Sequence, residues 1–296
     1  MRQQKPLLHW LLLILAGAGW GWSISLTKIA AESGYHPLTL MFWQLTIAIF
    51  LLVTWMKVNR IALPVSPQHL VFYCIAGVLG TALPNSLSYY IAPHLPVGII
   101  SIVFSLIPMM AFTLAIVFKS EKFDLVRFAG VLLGLVAVSL LIVPTISFQS
   151  IISPFWIFLL LISAFCYASE SIYAAFFMPL QDNPLTILTG MTIAALIIIL
   201  PIMLAVEIPF SIQNFLGKPE WALIGSTLLH IGAYATYLYL IRHTGVIFTS
   251  QISYIVTLSG VLWGLVIFAE THSLWTWAAL VAAIAGLGLV RPRQKS

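Results

Sequence analysis

Residues 184–206 read PLTILTGMTIAALIIILPIMLAV, a run of 23 residues without a charge. About 20 mostly apolar residues are enough to cross the hydrocarbon core of a bilayer as an α-helix. The composition agrees, since 61% of the 296 residues are apolar and 7% are charged, whereas soluble domains contain about 45–50% and about 25%. The sequence therefore excludes an ordinary soluble enzyme and predicts a protein of the lipid bilayer.

Nine further apolar runs accompany this segment, separated by short polar or proline-containing breaks. Together they predict an all-α polytopic membrane protein with ten transmembrane helices, at residues 8–30, 37–57, 68–91, 96–118, 123–143, 154–178, 184–206, 219–241, 246–269 and 273–290. The breaks, one of which is predicted at Thr244–Gly245, are too short to hold a soluble domain.

The placement of basic residues predicts the orientation of these spans, because cytoplasmic loops carry an excess of Lys and Arg. With the N-terminus inside, only Lys28 and Lys218 of the 13 basic residues fall outside. The 11 inside are Arg2, Lys5, Lys57, Arg60, Lys119, Lys122, Arg127, Arg242, Arg291, Arg293 and Lys295. We expect a multi-pass plasma membrane protein, of a bacterial cytoplasmic (inner) membrane, with both termini cytoplasmic. The scattered basic residues form no patch for nucleic acid.

Ten spans divide into two five-helix repeats, residues 1–148 and 149–296, and an odd number of spans inverts the second repeat. A shift of 149 residues gives six identities, which superpose Tyr90, His94, Val97, Ser101, Val117 and Glu121 on Tyr239, His243, Val246, Ser250, Val266 and Glu270. Inverted repeats are typical of secondary transporters, whose substrate site lies near the membrane midplane between the repeats.

With these features the chain resembles the drug/metabolite transporter superfamily, of the EamA type. The resemblance is carried by Trp20-Gly21, Lys28, Pro108, Ser120-Glu121-Lys122, Gly130, Tyr239, His243-Thr244-Gly245 and Glu270. Gln44 stands where the family often has Arg, and Thr257 replaces a proline of the second repeat. The resemblance implies ten helices around a central cavity and alternating access for small metabolites, often in export.

Polar side chains at helical spacing form stripes on several spans, and such stripes are expected to face one another or water. For each residue, hydrogen bonding between helices is the alternative. The candidate substrate-binding residues are Glu170, Tyr167, Trp20, His230, Tyr234, Tyr237, Asn85, Tyr89, Gln44, Ser101, Ser253 and Tyr254. Lys28, Pro84 and Pro108 are candidates for the mouth of the cavity and for gating kinks.

Glu170 is the strongest candidate, because an acidic residue at a helix centre costs about 2.5–3.5 kcal/mol on insertion scales. Its carboxylate can pair with a substrate ammonium, bind and release a proton, or hold two helices together as a neutral hydrogen-bonded group. Together with Trp20, Tyr167 and the other candidate tyrosines it predicts an aromatic box that suits amines through cation–π attraction.

These residues favour a secondary transporter of small polar, zwitterionic or cationic metabolites, such as amino acids or amines, working in export. A multidrug or quaternary-ammonium transporter of the same fold is the first alternative. An intramembrane enzyme or a channel is less favoured, since the sequence contains neither H-E-x-x-H nor G-x-S-x-G and no filter segment. The expected partners are a small-molecule substrate and lipid, without a cofactor or metal. A homodimer stays an open possibility.

Overall fold

The computed structural model describes residues 6–119, 123–147, 153–179, 182–211, 217–249 and 251–289. Every regular element in these ranges is helical, as predicted. The helices are α1 (Pro6–Ala31), α2 (Pro37–Val58), α3 (Pro67–Gly77), α4 (Leu83–Ile91), α5 (Val97–Phe104), α6 (Ile107–Val117), α7 (Leu125–Ser147), α8 (Pro154–Phe177), α9 (Pro184–Ala205), α10 (Lys218–Thr249), α11 (Ile252–Phe268) and α12 (Leu274–Leu289). A π-helical turn, Val78–Ala82, joins α3 to α4.

Several residues that the sequence singled out lie outside the described part of the chain. These are Arg2, Lys5, Ser120-Glu121-Lys122, Ser250, Arg291, Arg293, Lys295 and the side chains of Arg242 and Val246.

Six helical segments in the described part of the chain are long and apolar enough to cross a membrane. They are Leu7–Ala31, Pro37–Val58, Pro67–Ile91, Val97–Val117, Pro154–Phe177 and Pro184–Ala205. Three shorter apolar helices, Leu125–Leu141, Ile252–Phe268 and Leu274–Leu289, accompany them. Large apolar side chains face outward, with Leu7 81%, Phe50 69% and Leu274 86% exposed. Lipid is the solvent that such a surface requires.

The chain departs from the predicted spans where the eighth was expected to end. α10 continues to Thr249, so the break predicted at Thr244–Gly245 is helical. The matching stretch of the first half, residues 92–96, is a turn because Pro93 and Pro96 cannot donate backbone hydrogen bonds. No proline stands in the corresponding stretch 241–245. The fourth span, in contrast, is interrupted between Phe104 and Ile107.

The first helix of each half packs against the other half. Helix α1 contacts α10 and α11, whereas α8 contacts α3, α4, α5 and α6. In addition, α2 packs on α9, α5 on α11, and α7 on α12. The last three contacts each pair a span with its counterpart in the other half, whereas the first helix of each half packs on the third and fourth spans of the other half.

Contacts along α1 and α8 show in which direction each of these helices runs relative to the helices that it packs on. The two sets of directions agree. A Cβ at Gly17 would touch Ile255 and one at Gly21 would touch Gly260, so α1 runs parallel to α11. His9 lies near Tyr239 and Gly225 near Leu26, so α1 is antiparallel to α10.

Helix α8 repeats this arrangement on the first half. It is antiparallel to α3–α4, because Tyr173 stacks on Phe72 and Tyr167 meets Asn85. It is parallel to α5, because Trp156 stacks on His94 and Tyr167 meets Phe104.

Two ends of the bundle are held by contacts between the halves. At the Lys28 end, where α1 ends and α2 begins, Thr39 Oγ1 donates to the carbonyl of Pro209 (2.6 Å). At the His69 end, where α2 ends and α3 begins, His69 Nε2 lies 2.7 Å from Asp182 Oδ2 in the α8–α9 loop. The candidate site lies between these two ends.

Candidate functional site

Glu170 is buried within α8, where its side chain is held by residues from both halves. The Tyr234 hydroxyl, on α10, donates to Glu170 Oε1 over 2.8 Å. On the other side stands Gly80, whose hypothetical Cβ would lie 2.7 Å from Glu170 Cγ. The absence of a side chain at position 80 therefore provides the space in which Glu170 lies.

The π-helical turn explains how Gly80 reaches this position. Pro84 has no N–H, and its ring clashes with the carbonyl four residues earlier, which belongs to Gly80. The helix widens instead, and the Leu83 N–H donates to the carbonyl of Val78, five residues back. Such π-bulges inside α-helices occur frequently at functional sites.

An aromatic group surrounds the hydroxyl that binds Glu170. The Trp20 ring centroid lies 6.3 Å from Tyr234 and 5.7 Å from Tyr237. The His230 ring lies 5.9 Å from Tyr234. We call these five residues, Glu170, Trp20, His230, Tyr234 and Tyr237, the Glu170 cluster, and all five were predicted from the sequence.

A small central cavity lies beside the cluster. It is lined by Met41, Gln44, Leu45 and Ala48 of α2, Thr81, Asn85, Leu188 and Thr192, and Thr227, His230 and Ile231 of α10. Only about 20 Å³ of it admits the centre of a water molecule, and one water needs about 10–15 Å³ on this measure. The cavity therefore has room for no more than one or two water molecules.

Three predicted residues supply polar groups to the cavity. Gln44 is buried, and its Oε1 has no hydrogen-bond partner. Asn85 Oδ1 accepts from the Tyr167 hydroxyl (2.6 Å), and Tyr167 is nearly one turn from Glu170 on α8. His230 belongs to both the cavity and the cluster. The cavity and the Glu170 cluster are therefore one connected site.

Other predicted residues lie away from this site. Tyr89 is buried in the apolar core at the Lys28 end, where its hydroxyl lies near that of Ser226. Ser101 donates to the carbonyl of Val97 in its own helix and packs on Gly260 of α11, so it contributes to the packing of two helices. Tyr254 lies against Gly288 of α12. Ser253 offers its carbonyl to the Thr257 hydroxyl (2.8 Å).

The three candidate gating residues take different places. Pro84 produces the π-turn of the site, whereas Pro108 lies in the first turn of α6. Lys28 is only 8% exposed, and its Nζ donates to the carbonyls of Ala92 (2.8 Å) and Leu95 (2.9 Å). It therefore binds main-chain groups at the Lys28 end, and it also forms an ion pair with Glu32 over 3.2 Å.

Sequence reasoning missed Gly80 and the cavity threonines Thr192 and Thr227. The threonine hydroxyls donate to carbonyls four residues earlier in their own helices, over 2.7 Å each. The threonines could have been found as polar residues within apolar segments. For Gly80, the only indication in the sequence is Pro84, four residues later. Among the described residues, no three His, Cys, Asp or Glu side chains gather as metal ligands would.

Comparisons with known proteins agree with this architecture. The model of the EamA-like transporter family matches residues 8–143 and 154–291. A crystal structure with 16% sequence identity superposes with a TM-score of 0.61 over 94% of this chain and 94% of its own. This likeness concerns the fold alone, and 28 chains of solved structures show a significant likeness. No curated protein matches the sequence.

Proposed function

Because the chain belongs to the EamA-like transporter family, we propose that it carries small polar, zwitterionic or cationic metabolites through the central cavity. Membership makes it a multi-pass membrane transporter of the drug/metabolite type and not an enzyme. Amino acids and small amines are the substrates we favour, and export is the direction. The site residues identified above bind the substrate in this proposal.

The observation that carries the substrate class is the buried carboxylate of Glu170. It lies beside the cavity, and among the described residues the hydroxyl of Tyr234 donates to it at 2.8 Å. An ammonium group reaching this carboxylate would gain a charge-assisted hydrogen bond, which is about twice as strong as a neutral one. The rings of Trp20, Tyr234 and Tyr237 offer π-faces to the same positive charge.

We further propose ten spans arranged as two inverted halves, residues 1–148 and 149–296. The packing of α1 on α10 and α11, and of α8 on α3–α6, supports this arrangement. In such transporters the two halves rock around a fixed site, so that it opens to each side in turn. We place the Lys28 end outside a bacterial cytoplasmic (inner) membrane and both termini in the cytoplasm.

Transport by purified protein in proteoliposomes tests the proposal directly. Labelled amino acids, primary amines and quaternary amines are offered as substrates to wild type, Glu170→Gln and Glu207→Gln. Glu207 is an exposed carboxylate at the Lys28 end and serves as the matched control. We expect Glu170→Gln to lower the transport rate of cationic substrates about tenfold or more, while Glu207→Gln keeps the wild-type rate. Wild-type transport by Glu170→Gln would remove the carboxylate from the mechanism.

The aromatic part of the Glu170 cluster favours a second candidate, a quaternary-ammonium transporter. A quaternary nitrogen has no N–H to donate, so its binding depends on ring faces such as that of Trp20. For this candidate, Trp20→Ala lowers transport of tetramethylammonium about tenfold, whereas Trp20→Phe keeps most of it. Primary amines transported faster than their quaternary analogues would exclude this candidate.

A further inference from the structure

We propose that Glu270 is a gating residue, whose carboxylate locks the Lys28 end of the molecule by binding the N-terminus of α5, and that Lys28 completes the lock from the other side of the same turn. The inference rests on the proposed alternating access. It assigns the groups that must separate each time this end opens.

Glu270 lies in the α11–α12 loop and binds main-chain donors of the other half. The Val97 N–H donates to Oε1 over 2.6 Å, and the Gly98 N–H donates to Oε2 over 3.1 Å. These N–H groups belong to the first turn of α5, where a helix leaves its donors unpaired and carries a partial positive charge. A carboxylate is the side chain that suits this end of a helix best.

Two glycines and one residue with a positive φ angle provide the space for this contact. A Cβ at Gly98 would lie 2.6 Å from His272 Nε2, and one at Gly264 would lie 2.5 Å from Glu270 Oε2. Ala269 ends α11 in the left-handed conformation, with a φ of 50°, directly before Glu270. Few non-glycine residues adopt this conformation, and the two glycines leave the room that the side chains of Glu270 and His272 occupy.

Lys28 holds the opposite side of the same turn, residues 92–96. Its Nζ donates to the carbonyl of Ala92, at the C-terminus of α4, and to that of Leu95 in the following turn. The C-terminal end of a helix carries a partial negative charge, which a cation stabilises. Lys28 Nζ also lies 5.7 Å from the centre of the Phe268 ring, two residues before Glu270. Each helix end at this turn is therefore bound by a side chain of the opposite charge.

The position of these contacts points to a gate more than to a static cap. The contacts of Glu270 join α5 to the loop after α11, which is a junction between the proposed halves. Lys28 lies in the same proposed half as the turn that it binds, and it meets the other half at Phe268. Glu270 lies close to His272, with 3.5 Å between Oε2 and Nε2, and both side chains are at least nine-tenths buried. If this end opened, both side chains would be exposed to water and the contacts of Glu270 would be lost. These contacts therefore stabilise the closed conformation only.

The test measures from which side of the membrane the cavity can be reached, and it needs no substrate. The two native cysteines, Cys74 and Cys166, are replaced by Ala, and Ala48→Cys places one thiol in the central cavity. A membrane-impermeant maleimide is applied to intact cells and, separately, to inside-out vesicles. For Glu270→Gln we expect the labelling rate to rise about tenfold from the side of the Lys28 end only. Lys28→Met shifts it in the same direction, and Glu207→Gln leaves it unchanged.

Two results would overturn the gate. One is a wild-type labelling rate in Glu270→Gln protein that reaches the membrane and elutes as a monodisperse species. The other is an equal increase from both sides, which identifies a cap that stabilises the fold. If Glu270→Gln fails to reach the membrane, the same measurement on Lys28→Met and His272→Ala decides by the same criteria. One-sided labelling without amine transport would retain the gate and reject the substrate class.

Discussion

At the scale of single residues, the contact between Gly80 and Glu170 makes a stability prediction. In Gly80→Ala the new methyl group must displace the Glu170 side chain, because the Cβ position lies 2.7 Å from Cγ. Overpacking of this kind costs about 1–3 kcal/mol. We expect thermal unfolding in detergent at a lower temperature than wild type, and slower transport of cationic substrates.

The matched control for this change is Gly232→Ala in α10, where a Cβ would have no neighbour within 4 Å. Alanine in a helix interior is more favourable than glycine by about 1 kcal/mol. This variant should therefore unfold at the same or a higher temperature. Equal unfolding temperatures for the two variants would show that Gly80 does not determine the position of Glu170.

Two buried tyrosines make a second prediction, about the hydroxyl that binds Glu170. Tyr234→Phe removes a donor from a buried carboxylate, whereas Tyr89→Phe removes a contact with a neutral hydroxyl, that of Ser226. A lost hydrogen bond that leaves a charged group unpaired costs about 1–3 kcal/mol or more. We expect Tyr234→Phe to be destabilised by this amount, and Tyr89→Phe to be destabilised by less, because its partner is neutral. Thermal unfolding of both variants measures the difference, and a reversed order would contradict the assignment.

What the sequence predicts at this scale depends on whether a residue carries its own chemistry. Glu170 was found because a charge within an apolar span is costly wherever its partners lie. Ser101 was predicted on the same reasoning, yet its hydroxyl bonds within α5 and it packs on Gly260. The main-chain partners of Lys28 were not predictable, because those carbonyls become acceptors only where α4 happens to end. Its ion pair with Glu32, four residues later, has a spacing that is visible in the sequence.

At the scale of elements, the π-helical turn sets which face of the third span meets α8. In Pro84→Ala the new residue regains an N–H, so the segment can return to regular α-helical hydrogen bonding. If the wide turn became α-helical, Asn85 would rotate relative to Gly80 by about 100°, which is the angle between neighbouring residues in a 3.6-residue turn. We expect transport to fall at least tenfold with little loss of thermal stability.

Pro201→Ala is the control for this prediction, because Pro201 also lies inside a helix, α9, but is exposed. Both variants remove a helix-interior proline, and only one alters the site. Transport at the wild-type rate in Pro84→Ala would show that the turn does not determine the geometry of the site.

Element boundaries followed from the sequence where charged residues or prolines stop a helix. The ends of α2, α8 and α9 lie close to the limits of the predicted spans. Span eight exceeds its prediction because Thr244 and Gly245 are weaker helix breakers than the two prolines of the matching turn. The wide turn at Val78–Ala82 was not predicted, since a proline signals a kink without specifying its form.

At the scale of the whole molecule, the first helix of each half packs on the other half, and this packing determines where the site lies. Helix α1 brings Trp20 to α10 of the second half, and α8 brings Glu170 to the π-turn of the first. Neither half contains the complete Glu170 cluster, so relative motion of the halves changes the site itself. Sequence patterns predict the repeat, whereas only the fold shows which helices of one half pack on the other.

The distribution of charge between the two ends makes the last prediction, about orientation. Among the described residues, Lys57, Arg60, Lys119 and Arg127 lie at the His69 end, and Lys28 and Lys218 at the other. Cytoplasmic loops carry the excess of basic residues, which anionic lipids of that leaflet attract by about 1 kcal/mol per Lys or Arg. We therefore expect the His69 end to face the cytoplasm.

Single cysteines at the two ends test this orientation in a cysteine-free background. Asn59→Cys lies at the His69 end and Glu207→Cys at the Lys28 end, and both positions are exposed. An impermeant maleimide should label Glu207→Cys in intact cells, and Asn59→Cys only in inside-out vesicles. The reverse labelling pattern would show that the Lys28 end faces the cytoplasm, and Glu270 would then lock the cytoplasmic side. Because one-sided labelling of the cavity is interpreted against this orientation, the two experiments together determine which compartment the Glu270 gate closes off.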